Sequence, residues 1–94
     1  MRLKLYSSIA KRQPNLVCLQ AEDLDFLPTV LVCPIRQNIP ETIVRSRFVW
    51  EGETFTALCE LARPIRREAL LLVGSLNESS SRDIMRKFLR VQAH

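Results

Sequence analysis

Between Pro28 and Pro34 the chain reads Thr29-Val30-Leu31-Val32-Cys33, an unbroken apolar and β-branched block. Prolines at both ends predict a strand over 29–33, because proline has no amide hydrogen for the middle of a ladder and belongs outside it. Its composition makes it the most buried strand of the chain. The segments around it read in the same way. Residues 2–6 alternate as Arg2, Leu3, Lys4, Leu5, Tyr6, the two-residue period of an edge strand that turns Leu3 and Leu5 inward. Residues 7–14 are a polar, basic connection, and Leu16-Val17-Cys18-Leu19 is a second strand. The acidic stretch Glu22, Asp23, Asp25 is a solvated loop before the proline-bounded block.

After a surface loop over 35–41, residues 42–50 are rich in β-branched and aromatic side chains, and Arg45 and Arg47 share one face there. Glu51-Gly52 joins this strand to Glu53–Leu58 as a hairpin, with the glycine supplying the positive φ of the turn. Residues 60–67 are amphipathic but interrupted by Pro64, and the run Ala69–Val73, closed by Gly74, is a short strand. The period then changes. Ile84, Met85, Phe88 and Leu89 form one stripe of a helix opposite Arg82, Arg86, Lys87 and Arg90. Ser80 with Asp83 is the expected capping box. Several short strands and one closing helix predict a mainly β fold, an SH3-like antiparallel barrel with a C-terminal α-helix, as a single domain over 1–94. So small a domain with apolar runs at 30–33 and 69–73 has more hydrophobic strand than one core covers, which predicts a homodimer.

With 47% hydrophobic and 26% charged residues the composition is that of a soluble globular chain, neither disordered nor membrane-spanning. Eleven of the 14 basic residues are arginine against 10 acidic ones, which suits an acidic partner or nucleic acid. Arg66-Arg67 and the helix arginines are candidate phosphate contacts. Cys18, Cys33 and Cys59 lie in apolar sequence and are expected as buried thiols, with no close spacing for a metal, so no metal and no cofactor are expected. The sole histidine is His94, and two glycines leave no phosphate loop, so the residues offer little for general-base catalysis. Charges at Arg2 and Lys4 without a following apolar run predict neither a signal peptide nor an anchor, hence a cytoplasmic protein without membrane contact.

The order of the segments resembles the CcdB toxins throughout. Met1-Arg2-Leu3-Lys4-Leu5-Tyr6, the stretch 16–25 and Val30-Leu31-Val32-Cys33-Pro34-Ile35 match the opening three strands of that family. Phe48-Val49-Trp50-Glu51-Gly52-Glu53 stands at its V-x-x-x-G-E hairpin, Leu71-Leu72-Val73-Gly74 at its V-x-V-I-G strand, and Asp83-Ile84 in its closing helix. The resemblance implies a dimeric, non-enzymatic toxin of a bacterial toxin–antitoxin module that traps a target such as a DNA gyrase subunit and is neutralised by an antitoxin with a disordered acidic tail.

It also implies sites. The family's gyrase contact follows the helix as W-G-I or a similar tripeptide; here Arg90, Val91, Gln92, Ala93 and His94 occupy that end, a weaker anchor that predicts feeble gyrase poisoning. The basic loops, with Lys11, Arg12, Arg36, Arg45 and Arg47, are the expected antitoxin-binding surface. The same superfamily contains MazF-like ribonucleases, in which an arginine precedes the proline opening a buried strand. Leu27 precedes Pro28 here and can neither donate to nor stabilise a scissile phosphate, so ribonuclease activity is the second expectation, with Arg36, Arg45 or Arg47 as substitutes. A non-toxic relative with the same barrel is the third.

Overall fold

The computed structural model describes residues 1–8, 13–20 and 26–93; Lys11, Arg12, His94 and the acidic stretch Glu22, Asp23, Asp25 lie outside them. Its elements are β1 (Lys4–Ser7), β2 (Leu16–Cys18), β3 (Thr29–Arg36), β4 (Arg45–Trp50), β5 (Glu53–Leu58), β6 (Arg63–Arg66), β7 (Leu71–Ser75) and α1 (Glu78–Gln92), with 3-10 turns at Cys59–Leu61 and Arg67–Ala69. The strands pair in the order β4-β5-β3-β2-β1-β7, with β6 on β3, and these neighbours run antiparallel throughout. This is the mainly β architecture expected from the sequence, a curled half-barrel with one C-terminal helix.

β3 organises the sheet, and it differs from its expected bounds by running through Pro34 to Arg36. On one side Val32–Pro34 pair with β2; on the other its first half pairs with β6 and its last two residues with β5. The amide of Ile35 donates to Asn15 O on the β2 side, so by alternation the ring nitrogen of Pro34 faces the opposite side. That is where the partner changes from β6 to β5, and no ladder bond is lost there. Pro64 sits in β6, which pairs with β3 alone among the described strands.

Strand alternation divides the core between two faces. Leu5, Val17, Cys33, Ile35, Phe48 and Phe55 pack with Ile84 and Phe88 of α1 on the inner face, and Tyr6, Leu16, Cys18, Val30 and Val32 cluster on the outer face. The three thiols are buried, as expected. Cys33 and Cys59 are hydrogen-bonded: the bond and burial push the Cys33 thiol up, and the same bond draws Cys59 down. The β4–β5 turn has positive φ at both Glu51 (51°) and Gly52 (76°), the two-residue primed turn that matches strand twist. Gly74 does not close its strand but lies inside β7, against Trp50; a Cβ there would meet Trp50 Cζ2 at 2.8 Å. β4 and β7 end the strand order, so this contact of indole on bare backbone joins the two ends of the curled sheet.

Two further expectations are corrected. Residues 42–44 precede β4 as a turn, with Thr42 in an isolated bridge to Arg45. The helix starts at Glu78, one residue before the serine triplet: Asn77 is its N-cap, its side chain accepting from Ser80 N at 2.8 Å, while Asp83 is a turn further in. In the run 69–73, Leu71 and Leu72 are 51% and 57% exposed on the terminal strand β7.

Candidate functional site

In the register of the sheet Arg36 of β3 and Arg47 of β4 both stand opposite Thr56 of β5. Directly opposed residues share a face, so the three form a row across the outer surface, with the arginines about 10 Å apart at two strand spacings. Both arginines are exposed and Thr56 is buried between them. The Thr56 hydroxyl donates to Ile39 O at 2.6 Å, which ties the loop after β3 across the row. That loop turns at Asn38, whose φ of 62° is a left-handed conformation that asparagine tolerates better than most residues.

The loop separates two adjoining clefts with Gln37 as their common wall. One, of about 310 Å³, is lined by Gln13, Pro14, Asn15, Arg36 and Gln37 among others. Its neighbour, of about 400 Å³, is lined by Gln37, Asn38, Ile39, Arg47, Thr54 and Thr56. Gln13 Nε2 donates to Glu53 Oε2 at 3.4 Å, so a carboxylate stands at the rim of the Arg36 cleft. Asn15 exchanges hydrogen bonds with Ser8 and holds the ends of β1 and β2 together beneath it. Two permanently charged guanidinium forks with amides, hydroxyls and one carboxylate around them suit a phosphodiester, whose oxygens accept forked hydrogen bonds.

The other arginine of β4 is used differently. Arg45 Nε donates to Glu60 Oε2 at 2.8 Å, both side chains about one-third exposed, so Arg45 braces the turn after β5 rather than joining the row. Beside it the buried Lys87 of α1 reaches Glu41 Oε2 at 2.8 Å, Arg45 O at 3.2 Å and Asp83 Oδ2 at 3.5 Å. Ser46 Oγ donates to Asp83 Oδ2 at 2.5 Å, and Arg86 also pairs with Asp83. Burial opposes ionisation of Asp83, but Ser46, Lys87 and Arg86 together hold its carboxyl below its usual range. The Lys87 hydrogen bond and the Arg47 amide do the same for Glu41. This network pins α1 to β4.

Of the basic residues singled out in the sequence, the structure thus brings together Arg36 and Arg47 and sets Arg45 apart, with Lys11 and Arg12 outside the described residues. At the other end, the helix runs on through Val91 and Gln92. Val91 packs on the core, Ala93 N donates to Leu89 O, and Arg90 reaches Ile43 O at 3.3 Å. Gln92 and Ala93 are exposed, and His94 lies outside the described residues. Sequence reasoning missed Gln13, Asn15, Gln37, Glu53, Thr54 and Thr56. Their only signal was polarity, and register alone gathers them. Among the described residues there is no His, Cys, Asp and Glu cluster able to hold a metal, and no helix is long and apolar enough to cross a membrane.

No family model matches the sequence, and no curated protein matches it. Solved structures do match the fold. The Mycobacterium tuberculosis toxin MazF-mt6 is 13% identical, with 99% of this chain and 97% of that one covered at a TM-score of 0.75. A crystal structure of MazE-MazF from Deinococcus radiodurans is 9% identical, covering 97% and 89% of the two chains at a TM-score of 0.71. At these identities the likeness is one of fold, the CcdB/MazF-type toxin fold, and CcdB in particular is not singled out. The finding overturns the non-enzymatic assignment made from the sequence, because the matching structures are MazF toxins, the branch in which ribonucleases were anticipated. It gives no support to a gyrase partner.

Proposed function

We propose that this chain is the toxin of a toxin–antitoxin pair and acts as a MazF-type endoribonuclease, with the Arg36–Thr56–Arg47 row as its substrate-binding and catalytic face. The observation that carries the reading is two exposed arginines that stand in one cross-strand row and line adjoining clefts, on a fold shared with MazF toxins. The missing arginine before Pro28 does not count against it. Leu27-Pro28 opens β3 at the end remote from Arg36, whereas the proline lining the Arg36 cleft is Pro14, which opens the fully buried β2 and follows Gln13. The guanidinium that Gln13 lacks comes from Arg36 on the neighbouring strand.

In this reading the guanidinium group of Arg36 holds the non-bridging oxygens of the RNA phosphodiester that is cut and stabilises charge as it builds on them, while Arg47 in the adjoining cleft holds the neighbouring phosphate. The ribose 2′-oxygen forms a bond to phosphorus while the bond from phosphorus to the 5′-oxygen breaks. Glu53 takes the 2′-hydroxyl proton and solvent water protonates the departing 5′-oxygen, leaving a 2′,3′-cyclic phosphate and a 5′-hydroxyl. The experiment is incubation with a mixed-sequence RNA and its 2′-deoxy counterpart. RNA should be cut with those termini and the deoxy strand left intact, and Arg36→Ala should slow cleavage by about 100-fold. Binding without cleavage of any sequence would sink the enzymatic reading.

The same face suits the acidic tail of an antitoxin, which would then block substrate by occupying the arginines. The exposed Leu71 and Leu72 on β7 supply an apolar edge for a second copy. Leu72→Asp is expected to leave a monomer in sedimentation, and an unchanged dimer would move the interface elsewhere.

A further inference from the structure

Cys33 and Cys59 take no part in this scheme, yet the sheet sets them side by side. In the β3–β5 ladder Arg36 stands opposite Thr56 and Ile35 opposite Ala57, so the same register carried two residues further places Cys33 against Cys59. The odd-numbered residues of β3 turn their backbone groups toward β2: the Ile35 amide donates to Asn15 O, and Leu31 O accepts from Leu19 N. Cys33 and Cys59 therefore oppose each other without ladder bonds between them, the arrangement in which Cα atoms lie about 4.5 Å apart and side chains come closest. That separation falls within the range of about 4.4–6.8 Å that a disulfide spans. Both side chains belong to the inner-face core, are fully buried and are hydrogen-bonded to each other. Cys18 is kept from them, because it lies in the outer-face cluster across the sheet.

Cys59 opens the 3-10 turn Cys59–Leu61, which has no side-chain cap and ends at the half-exposed Leu61. A single turn held this lightly opens more readily than the strands beside it. From this pairing we infer that Cys33 and Cys59 form a modification site, a dithiol that hydrogen peroxide converts into a reversible disulfide joining β3 to the turn after β5. Opening of the turn admits peroxide to Cys59, whose thiolate the hydrogen bond from Cys33 favours. Its sulfur bonds to one peroxide oxygen as the O–O bond breaks, and the other oxygen leaves as hydroxide and takes up the proton lost by the thiol, giving a sulfenic acid and one water. The Cys33 sulfur then bonds to the Cys59 sulfur, the S–O bond breaks, and the hydroxyl departs with the Cys33 proton as a second water. The two thiols are oxidised by two electrons and the peroxide is reduced by two, and a small thiol or dithiol reverses the bond by exchange. Nothing in this step depends on the ribonuclease reading.

The test treats the intact folded protein with hydrogen peroxide, then blocks the remaining thiols with N-ethylmaleimide in denaturant and maps them by mass spectrometry. Cys33 and Cys59 should appear in one cross-linked peptide pair lacking two hydrogens, with Cys18 alone alkylated, and dithiothreitol should restore all three thiols. The bond closes a loop that contains the whole β4–β5 hairpin, so the oxidised protein should melt about 10 °C above the reduced one. Cys33→Ser, with circular dichroism confirming the fold, should stop at a sulfenic acid on Cys59 that dimedone captures. Cys18→Ser should oxidise as the wild type does. Three alkylated thiols after peroxide treatment, or a bridge that includes Cys18 or joins two chains, would overturn the site. So would a Cys33–Cys59 bond that forms only in the unfolded chain, since the register would then have no part in it.

Discussion

Arg45 and Arg47 lie two residues apart on one face of β4, yet they live in different surroundings. Arg45 is bonded to Glu60 within a network that includes Lys87, Asp83, Ser46 and Glu41, and that network joins helix to sheet. Arg47 projects from an exposed position into a cleft, with Arg36 on the far side of Thr56. The difference comes from what lies across the strand. The turn Cys59–Leu61 carries a carboxylate back to Arg45, whereas opposite Arg47 β5 offers only a small hydroxyl already committed to Ile39. Charge held by a neighbour becomes structure; charge left facing water is available to a ligand.

The sharpest way to break the contrast is at its buried end. Lys87→Met removes a cation that faces Glu41, Asp83 and the Arg45 carbonyl with its side chain only 9% exposed, and should destabilise the fold by about 3 kcal/mol in urea titration. A loss below about 0.5 kcal/mol would mean that the network does not hold α1 in place. The paired arginines give the next largest effect and a crossed outcome. Arg45→Ala should cost about 1 kcal/mol of stability and leave the cleavage rate of the folded protein nearly unchanged, whereas Arg47→Ala should leave stability within about 0.5 kcal/mol and abolish most of the cleavage. Identical behaviour of the two would erase the distinction.

Asn77→Ala should cost about 1 kcal/mol through loss of the helix cap, and Ser80→Ala much less, since Ser80 gives the cap only its backbone amide. Thermal denaturation of the two variants checks this. The smallest effect is on acid stability. Asp83 and Glu41 have carboxyls held below their usual range, so folding gains from their ionised forms at neutral pH. That gain is complete above the unfolded pKa of about 4 and fades as pH falls below it through the folded values. Both groups are partly open to solvent, so the loss is modest, and Lys87→Met should flatten it. An acid limb as steep in the variant as in the wild type would place the titrating groups elsewhere.

Strand period, turn chemistry and the change to a helical stripe near residue 82 were enough to give six of the seven short strands, the Glu51-Gly52 hairpin and the closing helix, because these depend on local sequence and on which side of a strand is apolar. The extension of β3 through Pro34 was not legible, since a proline is tolerated there only because two different strands meet along that edge. Nor was the exposure of Leu71 and Leu72, because an apolar run at the end of a sheet reads the same as one in its middle. The basic residues of the site were visible as a set, but their division into Arg36 with Arg47 and Arg45 with Glu60 was decided by register and by a turn that returns after β5. Gln13, Gln37, Glu53 and Thr56 carry no local mark of function. They come from three separate stretches of chain, and only the folding of β2, β3 and the β4–β5 hairpin against one another brings them to the same clefts.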